Sequence, residues 1–285
     1  MEPELIADYN NHVGEGPLWH QTESLLYWVD IPQGRIFRYD PVSGKHEQFH
    51  QGRVIGGFTI QEDGSLLLFM DRGSIAILKE GELSYIVDEI PEERDTRFND
   101  VIADPRGSVF CGTMPTDTEP AKLYRLDPDG SLTVVLDGIG LSNGLGFTPD
   151  RKQMYYTDSY ARKIYIFDYD EHTSEISDRR VFVETPEDGG IPDGMTVDAE
   201  GYVWSARVDG SALFRYTPDG VEERSITFPA KKVSSVTFGG DDMDEMYVTT
   251  IGGDNKAEEG PGAGALFRLN LGMRGVPDYY SRIGI

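Results

Sequence analysis

The sequence predicts an all-β fold, a six-bladed β-propeller, and two observations carry the prediction. Most apolar runs are short and rich in β-branched or aromatic residues, and Gly- and Asp-containing turns separate them, as in β-hairpins; examples are residues 25–29, 66–69 and 154–157. One template of about four short strands also fits six segments in a single register, which start near Gly14, Ile55, Arg97, Leu141, Ile191 and Lys232. Spacings of 41 to 50 residues between these starts are typical of propeller blades.

The two ends of the chain are predicted to meet in the last blade. The last repeat shows only three clear strands, at residues 233–238, 246–250 and 265–270. Residues 5–9 form a spare strand, which we predict to complete the last blade as its outermost strand, because this pairing leaves few open sheet edges. Residues 277–285 are then expected to cover the closure as an extended tail. No linker rich in Pro, Gly or Ser divides the chain, so residues 1–285 are predicted to form a single domain.

The charge of the chain is strongly negative. Its 285 residues include 50 Asp and Glu against 26 Lys and Arg, which gives a formal net charge of −24. This surplus argues against nucleic acid as a partner, because phosphate binding needs clustered Lys and Arg. It also supports the hypothesis of a salt-adapted host, for which the alternative is an ordinary acidic enzyme.

Further absences narrow the class of protein. The single cysteine, Cys111, excludes a disulfide framework and any Cys-based zinc site, and its apolar neighbours predict a buried, unreactive thiol. No apolar run approaches the ~18 residues of a membrane span, and the first residues lack the pattern of a signal peptide. We therefore expect a cytoplasmic protein with no membrane partner.

One position recurs at the start of the innermost strand of every repeat. In a propeller these strands line the central channel, so residues at a shared position converge on one mouth of it. Four of the six side chains carry amide or carboxylate oxygens; the six residues are Glu15, Gly57, Asn99, Asn143, Asp193 and Ser235. Oxygen donors without Cys or His favour Ca²⁺, Mg²⁺ or Mn²⁺ over a structural zinc. Any one of these residues alone would be interpreted as a turn cap, but four at one position favour a cation site.

Five short motifs coincide with this pattern. They are GEGPLW at 14–19, YWVDI at 27–31, RFND at 97–100, SNGL at 142–145 and PDGM at 192–195. In this order, and over essentially the whole chain, they resemble the senescence-marker-protein/gluconolactonase family of regucalcin-like proteins. The resemblance implies a six-bladed propeller with one divalent ion in the channel and, in many members, hydrolysis of sugar lactones. Members use calcium, zinc, magnesium, manganese or iron, so the identity of the ion stays open.

The resemblance also implies roles for individual residues. Its metal ligands fall on Glu15, Asn143 and Asp193, and Asp193 is the expected base that takes a proton from water near the ion. Substrate binding falls on the motif at 97–100, where Arg97, Asn99 and Asp100 are expected to orient the substrate.

The sequence therefore predicts a metal-dependent lactonase that opens a sugar (aldono-) lactone to the open-chain sugar acid. Its partner is the small-molecule lactone, and we expect a monomer or a small homo-oligomer. Two alternatives remain: an esterase or phosphotriesterase that uses the same ion, and a calcium-binding or scaffold propeller without turnover. Arg97 favours the enzyme, because a purely structural ion site needs no arginine near the mouth. The loop 115–120 is shorter than in the family, where a glutamate often reaches the substrate. Whether Glu119 or Asp117 takes that role stays open, and so does the preferred lactone.

Overall fold

Six four-stranded antiparallel sheets form the ring of the computed structural model, which describes residues 2–284, and they confirm the predicted six-bladed β-propeller. Within each of the first five blades, four consecutive strands pair in chain order. The first strands of all six blades contact one another around the central channel. These inner strands are almost fully buried, as in the strand Ile55–Ile60, whereas the fourth strands are largely exposed, as in Lys45–Gln51.

The first three blades run from residue 14 to residue 139. Blade 1 comprises β2 (Gly14–His20), β3 (Leu25–Asp30), β4 (Arg35–Asp40) and β5 (Lys45–Gln51). Blade 2 comprises β6 (Ile55–Ile60), β7 (Leu66–Met70), β8 (Ile75–Lys79) and β9 (Glu82–Val87). Blade 3 comprises β10 (Phe98–Ala103), β11 (Val109–Thr113), β12 (Ala121–Leu126) and β13 (Leu132–Ile139).

The other three blades complete the ring. Blade 4 comprises β14 (Ser142–Phe147), β15 (Gln153–Asp158), β16 (Lys163–Asp170) and β17 (Glu175–Glu184). Blade 5 comprises β18 (Ile191–Val197), β19 (Val203–Val208), β20 (Ala212–Tyr216) and β21 (Glu222–Thr227). Blade 6 comprises β22 (Val233–Gly239), β23 (Glu245–Thr250), β24 (Ala265–Leu269) and the N-terminal strand β1 (Glu4–Asp8). The helical pieces of the described chain are 3-10 turns at Pro91–Glu93 and Lys256–Glu258, and no helix within it is long and apolar enough to cross a membrane.

The N-terminal strand closes the last blade as predicted. Strand β1 pairs antiparallel with β24, with Glu4 opposite Arg268 and Asp8 opposite Ala265. An ion pair of 2.8 Å between Glu4 and Arg268 accompanies this pairing, and Ala7 is buried against the blade. The first and last strands of the chain therefore share one sheet, and the ring has no separate end.

Hydrophobic side chains pack between neighbouring blades. The indole ring of Trp204 in blade 5 meets Phe238 of blade 6 with ring centroids 6.5 Å apart. Within blade 1, Trp28 stacks on Phe37 at 5.2 Å. Both tryptophans are fully buried. Cys111 is also fully buried, and this burial raises the pKa of its thiol well above the ordinary value, which supports an unreactive thiol.

The C-terminal tail differs from the sequence-based expectation, in which residues 277–285 cover the closure of the last blade. In the part that the structure describes, the tail crosses the end of the ring where the innermost strands finish. Gly275 bridges to Asp198 of blade 5, and Ser281 bridges to Gln61 of blade 2. Two hydrogen bonds hold the tail at this end of the ring: the side-chain amide of Gln61 donates to the carbonyl of Ile283 and accepts from its N–H. Ile285 lies outside the described residues.

Candidate metal centre and active site

Every innermost strand has a break in its pairing register at the level of the shared position. In β2 the break lies between Glu15 and Leu18, in β10 between Phe98 and Val101, and the corresponding breaks occur in β6, β14, β18 and β22. A bulge of this kind leaves residues unpaired and changes the direction of their side chains. Six bulges at one level therefore shape one mouth of the channel.

The three predicted metal ligands meet at this mouth. Glu15, Asn143 and Asp193 lie near the starts of β2, β14 and β18, and their side chains are buried, with exposed fractions of 4%, 4% and 6%. Glu15 and Asp193 are close enough for the charge of Asp193 to raise the pKa of Glu15. The structure thus brings together residues that are 178 positions apart in the sequence.

A chain of hydrogen bonds fixes the amide side chains of the site. Arg97 Nη1 donates to Asn99 Oδ1 at 2.7 Å, and Asn99 Nδ2 donates to Asn143 Oδ1. Asn143 Nδ2 in turn donates to Ser159 Oγ at 2.7 Å, and Ser159 Oγ donates to the carbonyl of Pro192 at 2.6 Å. Since the amide nitrogen of Asn143 is committed to Ser159, its oxygen faces the site, where a second lone pair remains for another partner.

Negative charge accumulates at the mouth with little to balance it. Burial raises the pKa values of Glu15 and Asp193 well above their ordinary range, and repulsion from Asp100 adds to both. Burial likewise raises the pKa of Asp100 to about 7, which the charge of Arg97 opposes. The Arg97 guanidinium is itself buried, and burial lowers its pKa to about 10. Three carboxylates around one guanidinium leave surplus negative charge, and a cation would stabilise this arrangement.

The donor set fits a hard divalent ion. Glu15 and Asp193 supply carboxylate oxygens and Asn143 supplies an amide oxygen, which are the donors that Ca²⁺, Mg²⁺ and Mn²⁺ prefer. Within residues 2–284, no three His, Cys, Asp or Glu side chains cluster closely enough to hold an ion among themselves. Such a site therefore needs an oxygen donor of another kind, which the Asn143 amide can supply.

The channel behind the mouth contains a partly polar cavity. It has a volume of about 110 Å³, and Asp100, Ser235 and Thr237 line it together with apolar side chains. At the far end the tail contributes Asp278. Burial raises the pKa of its carboxyl to about 6, and a hydrogen bond with the Thr237 hydroxyl opposes this rise. The tail lies across that end of the channel, opposite the mouth at which Glu15, Asn143 and Asp193 meet.

Two functional candidates escaped the sequence analysis. Ser159 accepts a hydrogen bond from the Asn143 amide. The sequence feature that marks Ser159 is its position directly after Asp158, at the end of the strand that pairs with β14. Arg207 is fully buried without a carboxylate partner in the described structure, and its charge weakly opposes the rise in the pKa of Asp193 that burial causes. No local pattern marks Arg207, because its contacts are to Tyr216 and to its own strand.

Comparisons with known proteins place the chain in a family. The family model described as "SMP-30/Gluconolactonase/LRE-like region" matches residues 13–252. The chain belongs to this family. The match includes the starts of all six innermost strands and every candidate site residue named above.

Individual relatives agree with this assignment. The chain is 50% identical over 288 residues to pentonolactonase XacC of Haloferax volcanii, with 98% of this chain and 97% of the relative covered. It is 36% identical to regucalcin of Danio rerio, with 98% of each chain covered. Among solved structures, a luciferin-regenerating enzyme superposes with a TM-score of 0.90 at 30% identity, covering 99% of this chain and 100% of the other. The fold and the overall length are thus shared with these relatives.

Proposed function

We propose that this family member hydrolyses a sugar lactone to the open-chain sugar acid and depends on one divalent cation held by Glu15, Asn143 and Asp193. The observation that carries the proposal is the buried ring of oxygen donors at the channel mouth, with surplus negative charge around it. The pentonolactonase at 50% identity and the gluconolactonase family name support a lactone as the substrate. A bound divalent ion would polarise the lactone carbonyl and lower the pKa of water.

Asp193 is the proposed catalytic base. Its carboxyl is buried at the mouth, and burial together with the charge of Asp100 raises its pKa, which makes it a stronger proton acceptor; Arg97 and Arg207 partly oppose this rise. A charged carboxylate there can accept the proton that the attacking water loses. It can return that proton to the ring oxygen as the ester bond breaks, so the product is a hydroxy acid.

The motif at 97–100 supplies substrate contacts and support. Arg97 uses one nitrogen to hold Asn99, and its remaining N–H groups can donate to the hydroxyls or the carbonyl of a sugar. Asn99 fixes Asn143 and borders the same mouth. Asp100 lines the channel just behind them, where we propose that it accepts a hydrogen bond from a substrate hydroxyl.

The test is a pH-indicator assay of metal-stripped protein against sugar lactones, with Ca²⁺, Mg²⁺, Mn²⁺, Zn²⁺ and Fe²⁺ added back singly. Lactones open spontaneously, so each rate is compared with the same metal without protein. Acid release that one ion restores supports the proposal. The panel includes aryl esters and phosphotriesters, and turnover of these alone would replace the lactonase with the esterase or phosphotriesterase alternative. Binding of calcium that raises the melting temperature, without any turnover, would favour a binding protein.

A matched pair of variants tests the role of Asp193. Asp193→Asn should lower kcat by about 10²- to 10⁴-fold, the contribution typical of a positioned base. Asp209→Asn makes the same change in a mouth-side turn of the same blade, where the side chain is half exposed, and should leave kcat unchanged. A wild-type rate in Asp193→Asn would remove the proposed base. The cytoplasmic location and the monomeric or small homo-oligomeric state stay predictions.

A further inference from the structure

One exposed aromatic side chain stands apart from the other exposed apolar residues of the described chain. Five of those lie on outermost strands, and two lie in turns at the end of the ring that the tail covers; they are Leu5, Phe49, Tyr85, Val134 and Val181, then Val42 and Val221. Tyr160 is 62% exposed and lies in the turn between β15 and β16. That turn is on the mouth side, because its preceding residue Asp158 pairs with Ser142 at the start of β14.

Tyr160 is one residue away from the hydrogen-bond network of the site. Its neighbour Ser159 contacts both the Asn143 amide, at 2.7 Å, and the carbonyl of Pro192, at 2.6 Å. Consecutive Cα atoms are about 3.8 Å apart, so the Tyr160 backbone directly follows a residue of this network on the mouth side of the blade. Its ring is the large exposed apolar surface that the described structure presents there.

The turn that carries Tyr160 is held in place by a buried carboxylate. Asp158 accepts hydrogen bonds from the N–H groups of Gly140 and Leu141, at 3.0 and 3.1 Å, and from that of Ala161 at 3.1 Å. These bonds tie the turn to the segment that leads into β14. The fit is close, because a Cβ atom at Gly140 would lie 2.7 Å from the Cβ of Tyr160. A ring mounted on such a fixed turn is preorganised, so little entropy is lost when a ligand binds to it.

We propose that Tyr160 is a stacking platform for the lactone ring, and this inference rests on the proposed function. One face of a sugar lactone is formed by C–H groups, and this apolar face packs on the negative face of an aromatic ring. The remaining edge of the sugar carries hydroxyls, which the donors and acceptors at the mouth can bind. The open-chain acid has no flat face, so Tyr160 binds the cyclic substrate more tightly than the product.

A single ring of this kind suits a small ligand rather than a protein partner. Protein docking surfaces are contiguous apolar patches of several hundred Å². Around Tyr160 the neighbouring residues are Asp158, Ser159 and Ala161, which offer little apolar area. The chemistry of the turn therefore favours a compact, partly apolar ring as the occupant.

Four substitutions test the platform in metal-loaded protein. Tyr160→Ala should raise KM for the lactone about tenfold with kcat changed less than about threefold, since stacking on one aromatic ring is typically worth a factor of this size. Tyr160→Phe keeps the ring and should retain the wild-type KM. Tyr85→Ala removes an exposed tyrosine from an outermost strand and should have no effect. Gly140→Ala, which forces the turn away, should raise KM in the same direction as Tyr160→Ala.

Calorimetry with five- and six-membered sugar lactams, which keep the ring but resist hydrolysis, separates this inference from the proposed function. Weaker lactam binding in Tyr160→Ala, with unchanged binding in Tyr160→Phe, supports the platform even if no lactone is hydrolysed. Hydrolysis by the wild type with equal KM and equal lactam affinity in Tyr160→Ala overturns the platform and leaves the function standing. An equal loss in Tyr85→Ala, or no lactam binding by the wild type, also overturns it.

Discussion

The buried carboxyl of Asp100 should make the metal-free protein less stable at neutral pH than at acidic pH. Asp100 lines the channel, and its burial raises its pKa from 3.8 to about 7. At a pH between these two values, the folded protein keeps a proton on Asp100 that the unfolded chain releases. For an acid whose pKa is raised by folding, the stabilising contribution is complete below the unfolded pKa and is lost as the pH rises through the folded pKa. The loss thus falls between about pH 4 and about pH 7.

The magnitude follows from the two pKa values. Each pKa unit corresponds to about 1.4 kcal/mol, so the whole change from 3.8 to about 7 is worth about 4 kcal/mol as an upper bound. Much of it is already lost at about pH 5.5, and about 2 kcal/mol remains to be lost between about pH 5.5 and about pH 8.5. Asp100→Asn keeps the shape of the side chain but cannot ionise. The variant should therefore gain about 2 kcal/mol relative to the wild type across this range.

The assay is urea unfolding of both proteins after removal of metal, at several pH values in that range. Asp117→Asn serves as the control, because it removes an exposed carboxylate from the loop 115–120 on the same side of the ring. Its stability relative to the wild type should change little with pH. A free-energy difference between Asp100→Asn and the wild type that stays constant with pH would refute the reasoning. Added divalent metal should reduce the difference, since a cation stabilises the ionised carboxylates.

Three further predictions concern the stability and self-association of the propeller. Asp198→Ala should lower the free energy of unfolding by about 3–5 kcal/mol, because it leaves the buried Arg215, 2.6 Å from Asp198, without its main partner; urea unfolding measures this. Deletion of residues 1–9 should lower the melting temperature and cause self-association, visible by size-exclusion chromatography, because β24 becomes an open edge. The melting temperature should rise from low to molar salt, since salt screens the net charge of −24, and an unchanged value would remove the hypothesis of salt adaptation.

The sequence predicts those parts of the structure that repeat. Six copies of one template fix which strand is innermost, and a shared position within the template then marks Glu15, Asn143 and Asp193 as neighbours. The same alignment reveals that the last repeat lacks a strand and that residues 5–9 can supply it. Because the six repeats fold alike around one axis, residues at the same position of each repeat lie close together, and their contacts follow from the alignment alone.

Features that the alternation of strands and turns does not encode could not be predicted in this way. The tail depends on Gln61 binding the backbone of Ile283, a contact between residues 222 positions apart in which neither has a repeated counterpart. The bulges that shape the mouth are changes of pairing register, which alternation of polar and apolar residues does not encode. Ser159 is a serine in a turn, and only the folded blade shows that it holds Asn143.

Two buried aspartates at opposite ends of one strand show that the unbalanced negative charge at the mouth is specific to the site. β18 carries Asp193 near its start, and Asp198 follows its end. Both are buried, but Asp198 is bound by Arg215, the indole N–H of Trp204 and two backbone N–H groups. Asp193 has no salt-bridge partner in the described structure, and its pKa is raised. The chain thus neutralises one carboxylate where the strands only need to be held together. Asp193 has no such counter-charge in the described structure, in keeping with the proposed cation at the mouth, and an acidic composition alone would not produce this asymmetry.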